Sequence, residues 1–270
     1  MSKKFVDVEE IIADKNANLL KRLPRFVLSY LKKILHQDEV NQIIYENTEL
    51  KNEEFCKEIV NRFNLKLHVF GEGNIPQNGG VIFVVNHPLG GMDAMALVDI
   101  MSRYRKDIKF IVNDVLLTLE NLKGLFVGVN KYGKNAKDSL RDLDQLFASD
   151  QAIFIFPAGL VSRQVDGEVR DLDWKKTFVT QAKKYNKTVV PVLLDGRLSP
   201  FFYRLAKWRI FFGIKANIEM LYLVNELFKQ RGKEISVTFG KPILSDVFTQ
   251  EKTDKQWAAW VREKVYKLKE

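Results

Sequence analysis

The sequence predicts an α/β fold: layers of helix on a central, mostly buried mixed sheet, preceded by an N-terminal helical segment. Three observations carry this prediction. From Leu65 onward, short β-type runs alternate with amphipathic stretches. One run, Val81-Ile82-Phe83-Val84-Val85, is apolar on both faces, as a strand covered by helices on each side must be. Residues 1–63, by contrast, read as helix.

In the helical segment, apolar residues between Leu19 and Leu35 recur at three- and four-residue steps with Lys and Arg between them. A second amphipathic stretch, from Leu50 to Phe63, places Phe55, Ile59 and Phe63 on one face. This pair of stretches either packs on the core or lies in a membrane interface, since basic interleaving suits both. Leu65–Phe70 alternates at period two and is closed by Gly71 and the Asn74-Ile75-Pro76 turn. After the run at 81–85, further strands are expected at 108–112, 126–129, 152–156, 188–194 and 235–239. Helices are expected at Met92–Ile100 and at 114–122, 134–149, 173–186, 217–231 and 253–268.

A chain of 270 residues, 46% hydrophobic, is long enough for one large α/β domain or two small ones. Its 43 basic and 34 acidic residues leave a net charge of +9, which fits an anionic partner: nucleic acid, an anionic membrane or an acidic carrier protein. Cys56 is the single cysteine, so a disulfide framework and a thiolate metal site are both excluded. The N-terminus lacks the apolar core of a signal peptide. The uncharged stretch Gly73–Met92 is too rich in Pro, Asn, Gln and Gly to span a membrane. A soluble or peripheral protein is expected.

Two segments carry chemistry. The strand at 81–85 runs into Asn86-His87-Pro88-Leu89-Gly90-Gly91-Met92-Asp93, delivering a histidine to a glycine turn with a carboxylate six positions on. In the first helical turn Asp93 is favoured by the helix dipole. From there it can hold one imidazole nitrogen and leave the other as a general base. A capping Asp beside a surface His is the plainer alternative. The second segment is Phe154-Ile155-Phe156-Pro157-Ala158-Gly159-Leu160-Val161-Ser162-Arg163. There a buried strand stops at Pro and Gly, with a hydroxyl and a guanidinium beside the exposed backbone. Strand-end turns of this kind can converge at one sheet edge, where open α/β folds place ligands.

Asn86-His87…Asp93, Phe156-Pro157-Ala158-Gly159 and Val190-Pro191-Val192 stand in the order found in the glycerolipid acyltransferase family, the group of the lysophosphatidic acid acyltransferases. The chain resembles that family over about residues 65–245. Phe126-Val127-Gly128-Val129-Asn130-Lys131 matches the family's intermediate basic block. The resemblance implies an acyltransferase domain over 64–270, with residues 1–63 as a helical segment packed on it or on a membrane. Two departures stand out. His87 and Asp93 have five residues between them where the family has four. The family's Phe-Pro-Glu-Gly glutamate is Ala158 here, and its following basic residue falls on Val161. The pattern therefore looks more like the bacterial hemolysin-like branch, some of whose members acylate lyso-aminolipids.

What the resemblance implies is acyl transfer from a thioester, acyl-CoA or acyl carrier protein, to a lipid hydroxyl, with no bound cofactor and no metal. His87 is the expected base and Asp93 its orienting partner. Gly159 and Asn86 are expected at the acyl carbonyl, and Ser162, Arg163 and Lys131 at the acceptor head group. No Gly-x-Ser-x-Gly elbow occurs. His36 and His68 read as ordinary, and no His, Cys and carboxylate cluster has metal-ligand spacing.

The stretch Arg197–Asn217 interleaves Phe201, Phe202, Tyr203, Trp208, Phe211 and Phe212 with Arg204, Lys207, Arg209 and Lys215, without an Asp or Glu. An interfacial segment on an anionic bilayer needs this composition, single-stranded nucleic acid binding uses it too, and core packing of the aromatics is open. Alongside the acyltransferase resemblance the membrane reading is favoured. Trp208, Phe211, Phe212, Arg204 and Arg209 are then expected against lipid at the cytoplasmic face, with acyl carrier protein a further partner and nucleic acid none. The competing class is a non-catalytic basic protein that binds lipid or nucleic acid, with His87 and Asp93 merely structural.

Overall fold

Four helices, not one long pair, make up the N-terminal segment: Val8–Arg22 (α1), Arg25–Ile34 (α2), Gln37–Glu46 (α3) and Asn52–Arg62 (α4). The computed structural model describes residues 5–112, 119–128, 136–165 and 167–269. Pro24 is the reason the Leu19–Leu35 pattern divides, because it caps α2 and cannot continue α1. In α4 the expected face of Phe55, Ile59 and Phe63 is buried, together with Cys56.

The strands follow at Lys66–Phe70 (β1), Val81–Val85 (β2), Ile108–Val112 (β3), Phe126–Gly128 (β4), Ala152–Ile155 (β5), Thr188–Asp195 (β8) and Glu234–Phe239 (β9). Between β5 and β8 lies a two-stranded antiparallel hairpin, Arg163–Val165 (β6) and Glu168–Arg170 (β7), which periodicity did not predict. The helices Gly91–Met101 (α5), Ala136–Ala148 (α6), Thr177–Tyr185 (α7) and Asp254–Tyr266 (α10) belong to the same part of the chain. The sheet has the order β1-β9-β8-β2-β5-β3-β4 and is parallel except where β9 runs against β8.

The apolar run at 81–85 lies inside this sheet, between β8 and β5, and all five of its residues are buried. Its two faces serve two helical layers. Ile82 and Val84 join α6, α7 and α10 in one core. On the other side, Phe83 stacks on Phe154 at 4.5 Å and Phe154 on Phe110 at 4.7 Å, one ring from each of three neighbouring strands. Helix α5 is buried on almost every side, as an apolar helix between a sheet and α4 must be.

Strand β8 contains Pro191, whose nitrogen cannot donate. The antiparallel ladder to β9 begins one residue later, at Val192, and Gly240 N–H donates to the Pro191 carbonyl at 2.8 Å. A Cβ at Gly240 would lie 2.9 Å from Pro191 Cγ, so the strand turns past the proline at a residue without a side chain.

Several predicted elements differ in detail. Of the helix expected at 114–122, residues 114–118 lie outside the described residues, and Glu120–Leu122 is a single 3₁₀ turn. The helix expected at 217–231 is a 3₁₀ turn, Ile218–Tyr222, followed by a short helix, Leu223–Phe228 (α9). The aromatic and basic stretch is itself a helix, Pro200–Phe211 (α8), opened by proline at its first position.

The chain forms two compact units. One holds residues 51–197 and 230–270, and thus the sheet with α4–α7 and α10. The other joins residues 1–50 to 198–229, so that α1–α3 share a unit with α8 and α9. Within the smaller unit, His36 stacks on Phe228 at 4.1 Å and bonds Asn225 at 3.0 Å, and Tyr30 meets Tyr222 at 2.8 Å.

Candidate active site

Strands β2 and β5 are adjacent and parallel, so the two chemical turns leave the same edge of the sheet side by side. The chain leaves β2 toward β3 on one side and leaves β5 toward β8 on the other. Each connection thus passes the other's strand, and the carboxyl ends of parallel strands, where both turns lie, are where open α/β folds hold ligands.

His87 is the second residue past β2, and Asp93 lies in the first turn of α5. Their side chains meet, His87 Nδ1 to Asp93 Oδ2, at 2.8 Å. Between them Gly90 has a φ of +69° and a ψ of −130°, which suit only glycine. Asp93 is fully buried, and both of its oxygens also accept from Leu89 N–H at 3.1 Å. Burial raises its carboxyl above the usual carboxylate range, and the His87 bond, the His87 charge and the Leu89 N–H oppose that rise. The His87 ring stacks on Phe156 at 4.2 Å and is partly exposed. With Nδ1 held by Asp93, Nε2 is the nitrogen that has no hydrogen-bond partner among the described residues.

Asn86 is engaged with the neighbouring strand. Its amide donates to the Leu194 carbonyl at 2.9 Å and accepts from Leu194 N–H at 2.7 Å. The side chain thereby ties the end of β2 to β8. Gly159 N–H likewise closes the turn by donating to the Phe156 carbonyl at 3.0 Å. The φ of +69° at Gly159 accounts for glycine there. Both expected carbonyl-binding groups are thus engaged inside the protein.

The head-group residues are also drawn inward. Ser162 is fully buried, and its hydroxyl donates to Asp171 Oδ1 at 2.6 Å. Arg163 is buried and donates to the carbonyls of Val161 and Ser162. Neither presents its polar group to solvent, because each satisfies buried backbone or carboxylate acceptors near the turn. Lys131 lies outside the described residues. Ala158 and Val161, at the positions where the family carries Glu and a basic residue, are buried apolar side chains.

Sequence reasoning missed Asp171. It accepts from His87 N–H at 3.1 Å, from Ser162 Oγ and from Trp174 Nε1 at 2.8 Å. Its only sequence signal is an acidic residue before a tryptophan turn, Asp171-Leu172-Asp173-Trp174.

Among the expected lipid contacts, Trp208, Phe211 and Phe212 are 67%, 83% and 64% exposed, and Arg204 is exposed. Arg209 differs: it turns back into its own unit, where Nε stands 2.8 Å from the buried Glu219 carboxylate and Nη1 donates to the Ile214 carbonyl. Cys56 is buried and its thiol is pushed up by desolvation, while His68 is exposed beside Glu234. Among the described residues no helix is long and apolar enough to cross a membrane, and no group of three or more His, Cys, Asp or Glu is arranged to hold a metal ion.

Comparison with known proteins adds the family. Residues 10–270 match a family model described as "Acyltransferase". A lyso-glycine lipid O-acyltransferase of Bacteroides thetaiotaomicron is 45% identical over 265 residues, 98% of this chain and 97% of that protein. A protein of the same name from Phocaeicola vulgatus is 43% identical over 98% of this chain and 95% of its own length. The crystal structure of the 1-acyl-sn-glycerophosphate (LPA) acyltransferase PlsC from Thermotoga maritima superposes with a TM-score of 0.49 and 17% identity, covering 89% of this chain and 95% of that one. Matched along nearly its whole length, the chain belongs to the acyltransferase family and is an acyltransferase rather than a non-catalytic binding protein.

Proposed function

We propose that this enzyme moves a fatty acyl group from an acyl thioester, on coenzyme A or acyl carrier protein, to the hydroxyl of a lyso-aminolipid of the glycine-lipid class. The observation that carries the reading is the 2.8 Å His87–Asp93 bond at a sheet edge, in a chain 45% identical to a named lyso-glycine lipid O-acyltransferase. In this mechanism Nε2 of His87 takes the proton of the acceptor hydroxyl as its oxygen attacks the thioester carbonyl. Asp93 stabilises the imidazolium across Nδ1. The tetrahedral intermediate then collapses, the carbon–sulfur bond breaks, and the imidazolium returns its proton to the leaving thiolate. The buried Ala158 and Val161 support an acceptor that needs no phosphate-binding residues at those positions.

The same reading puts the protein on the cytoplasmic face of a membrane, where thioester and lipid meet. Its support is the smaller unit, which exposes Trp208, Ile210, Phe211 and Phe212 on or just beyond α8 and Phe26 on α2, with Arg204, Lys207 and Lys215 alongside the first group. Aromatic side chains with basic neighbours are the composition of an interfacial surface.

Purified protein given one acyl thioester and either lyso-glycine lipid or lysophosphatidic acid tests the reading. Faster acylation of the lyso-glycine lipid is expected. His87→Ala should lose roughly 10²–10⁴-fold in turnover while remaining folded at the assay temperature. A preference for lysophosphatidic acid overturns the acceptor, and normal turnover by folded His87→Ala overturns the base.

A further inference from the structure

We propose that Asp171 is a positioning residue for acyl transfer: its buried carboxylate fixes the main chain of His87, and through it the ring, against the turn that leaves β5. The inference rests on the reading of His87 as the base.

The geometry is a closed ring of hydrogen bonds. His87 N–H donates to Asp171 Oδ1 at 3.1 Å, Ser162 Oγ donates to the same oxygen at 2.6 Å, and Ser162 N–H donates to the His87 carbonyl at 2.8 Å. Both main-chain polar groups of His87 are therefore held, each by a group from the chain that follows β5. The other carboxylate oxygen accepts from Trp174 Nε1 at 2.8 Å, which stops the carboxylate from rotating. Asp171 is only 2% exposed. Its own backbone is anchored to α10, because its N–H donates to Tyr266 Oη at 2.7 Å and its carbonyl accepts from Arg262 Nη2.

Such a ring has a function a helix cap does not. Asp93 fixes the direction of the imidazole about its own bonds, but His87 sits two residues past the end of β2, where the strand ladder no longer constrains it. Asp171 replaces that missing ladder with a side chain, much as Asn86 does one residue earlier. A displacement of about 1 Å at a reacting group can lower a rate by about 10²-fold. Removing one carboxylate that holds two arms of the ring is a direct route to such a displacement.

The experiment compares Asp171→Ala, Asp171→Asn, Ser162→Ala and His87→Ala in full-length protein, assayed well below each variant's melting temperature. For Asp171→Ala, kcat should fall by about 10–100-fold with KM for both substrates nearly unchanged, the signature of a misplaced base. Asp171→Asn keeps an acceptor for His87 and Ser162 but turns a donor toward Trp174, so it should recover part of the lost kcat. Ser162→Ala, which leaves the His87–Asp171 bond in place, should cost less than Asp171→Ala. The proton of the His87–Asp93 bond, read by NMR at low field, reports the same geometry without turnover and should broaden or vanish in Asp171→Ala. An unchanged kcat and an intact low-field proton in folded Asp171→Ala overturn the inference, as does a rise in KM alone. If His87→Ala is itself active, the reading of the base has failed; if His87→Ala is dead and Asp171→Ala is not, only the role of Asp171 has.

Discussion

Replacing Asn86 by alanine separates two accounts of a residue that stands next to the base. Its amide makes two bonds to one residue of β8, at 2.7 and 2.9 Å, in a position only 4% exposed. Alanine leaves the Leu194 N–H and carbonyl without partners where little water reaches. A buried polar group left unsatisfied costs about 1–3 kcal/mol, so the pair is worth about 2–6 kcal/mol. An unfolding entropy of about 2 cal/mol/K per residue puts the shift for a chain this long near 2 °C per kcal/mol, or about 4–12 °C in all. Thermal melts followed by circular dichroism, with urea titration as a second measure, give the stability. Initial rates well below both melting points give the activity. The expected result is a clear loss of stability with a much smaller loss of turnover than His87→Ala shows. An unchanged melting temperature with a roughly 10²–10³-fold fall in kcat is the opposite pattern, that of a lost oxyanion donor. It would refute the clamp and return the amide to the acyl carbonyl.

Two further outcomes follow from the same geometry. Burial raises the Asp93 carboxyl, so the native state takes up a proton at higher pH than the unfolded chain does. Its contribution to stability therefore grows as pH falls through the raised value and is lost above it. The melting temperature of Asp93→Asn relative to the unaltered protein should accordingly climb as pH rises from the ordinary carboxylate range toward the raised value, while turnover falls; a difference that is flat with pH would show that the carboxyl is not raised. At the membrane, the double variant Trp208→Ala and Phe212→Ala should weaken the part of anionic-vesicle binding that survives high salt, since basic residues act through screened charge and aromatic ones do not. Undiminished binding by that variant would move the docking surface to α2, where Phe26 is 74% exposed.

The sheet was legible because its strands obey simple patterns: β1 alternates, and β2 is apolar throughout. The meeting of His87 and Asp93 was legible as well, since a glycine turn and a first-turn carboxylate are local features. What escaped was direction. Sequence gives the chemical type of Ser162, Arg163 and Asn86, but the partners that capture their polar groups come from Asp171, nearby carbonyls and Leu194, some of them far along the chain. Arg209 read as a surface charge because Glu219 lies beyond the acid-free stretch. Helix α8 escaped because its buried Phe202, Tyr203 and Ala206 are matched by exposed aromatics, so no polar face marks the period. The hairpin of β6 and β7 had one signal, Asp166-Gly167 between short runs, and three-residue strands are too brief for periodicity to find.

The smaller unit is assembled from the two sides of a long insertion, residues 1–50 and 198–229. During synthesis, the first three helices emerge about 150 residues before the helices that complete their unit. At about 5–20 residues per second the wait is roughly 7–30 s. For that interval α2, basic and apolar by turns, has no finished core to join. A nascent chain in that state is a substrate for whatever binds amphipathic helices first, and near a membrane that is the lipid surface. Ribosome-bound fragments ending before residue 198 should thus adsorb to vesicles more readily than the completed chain does through α2.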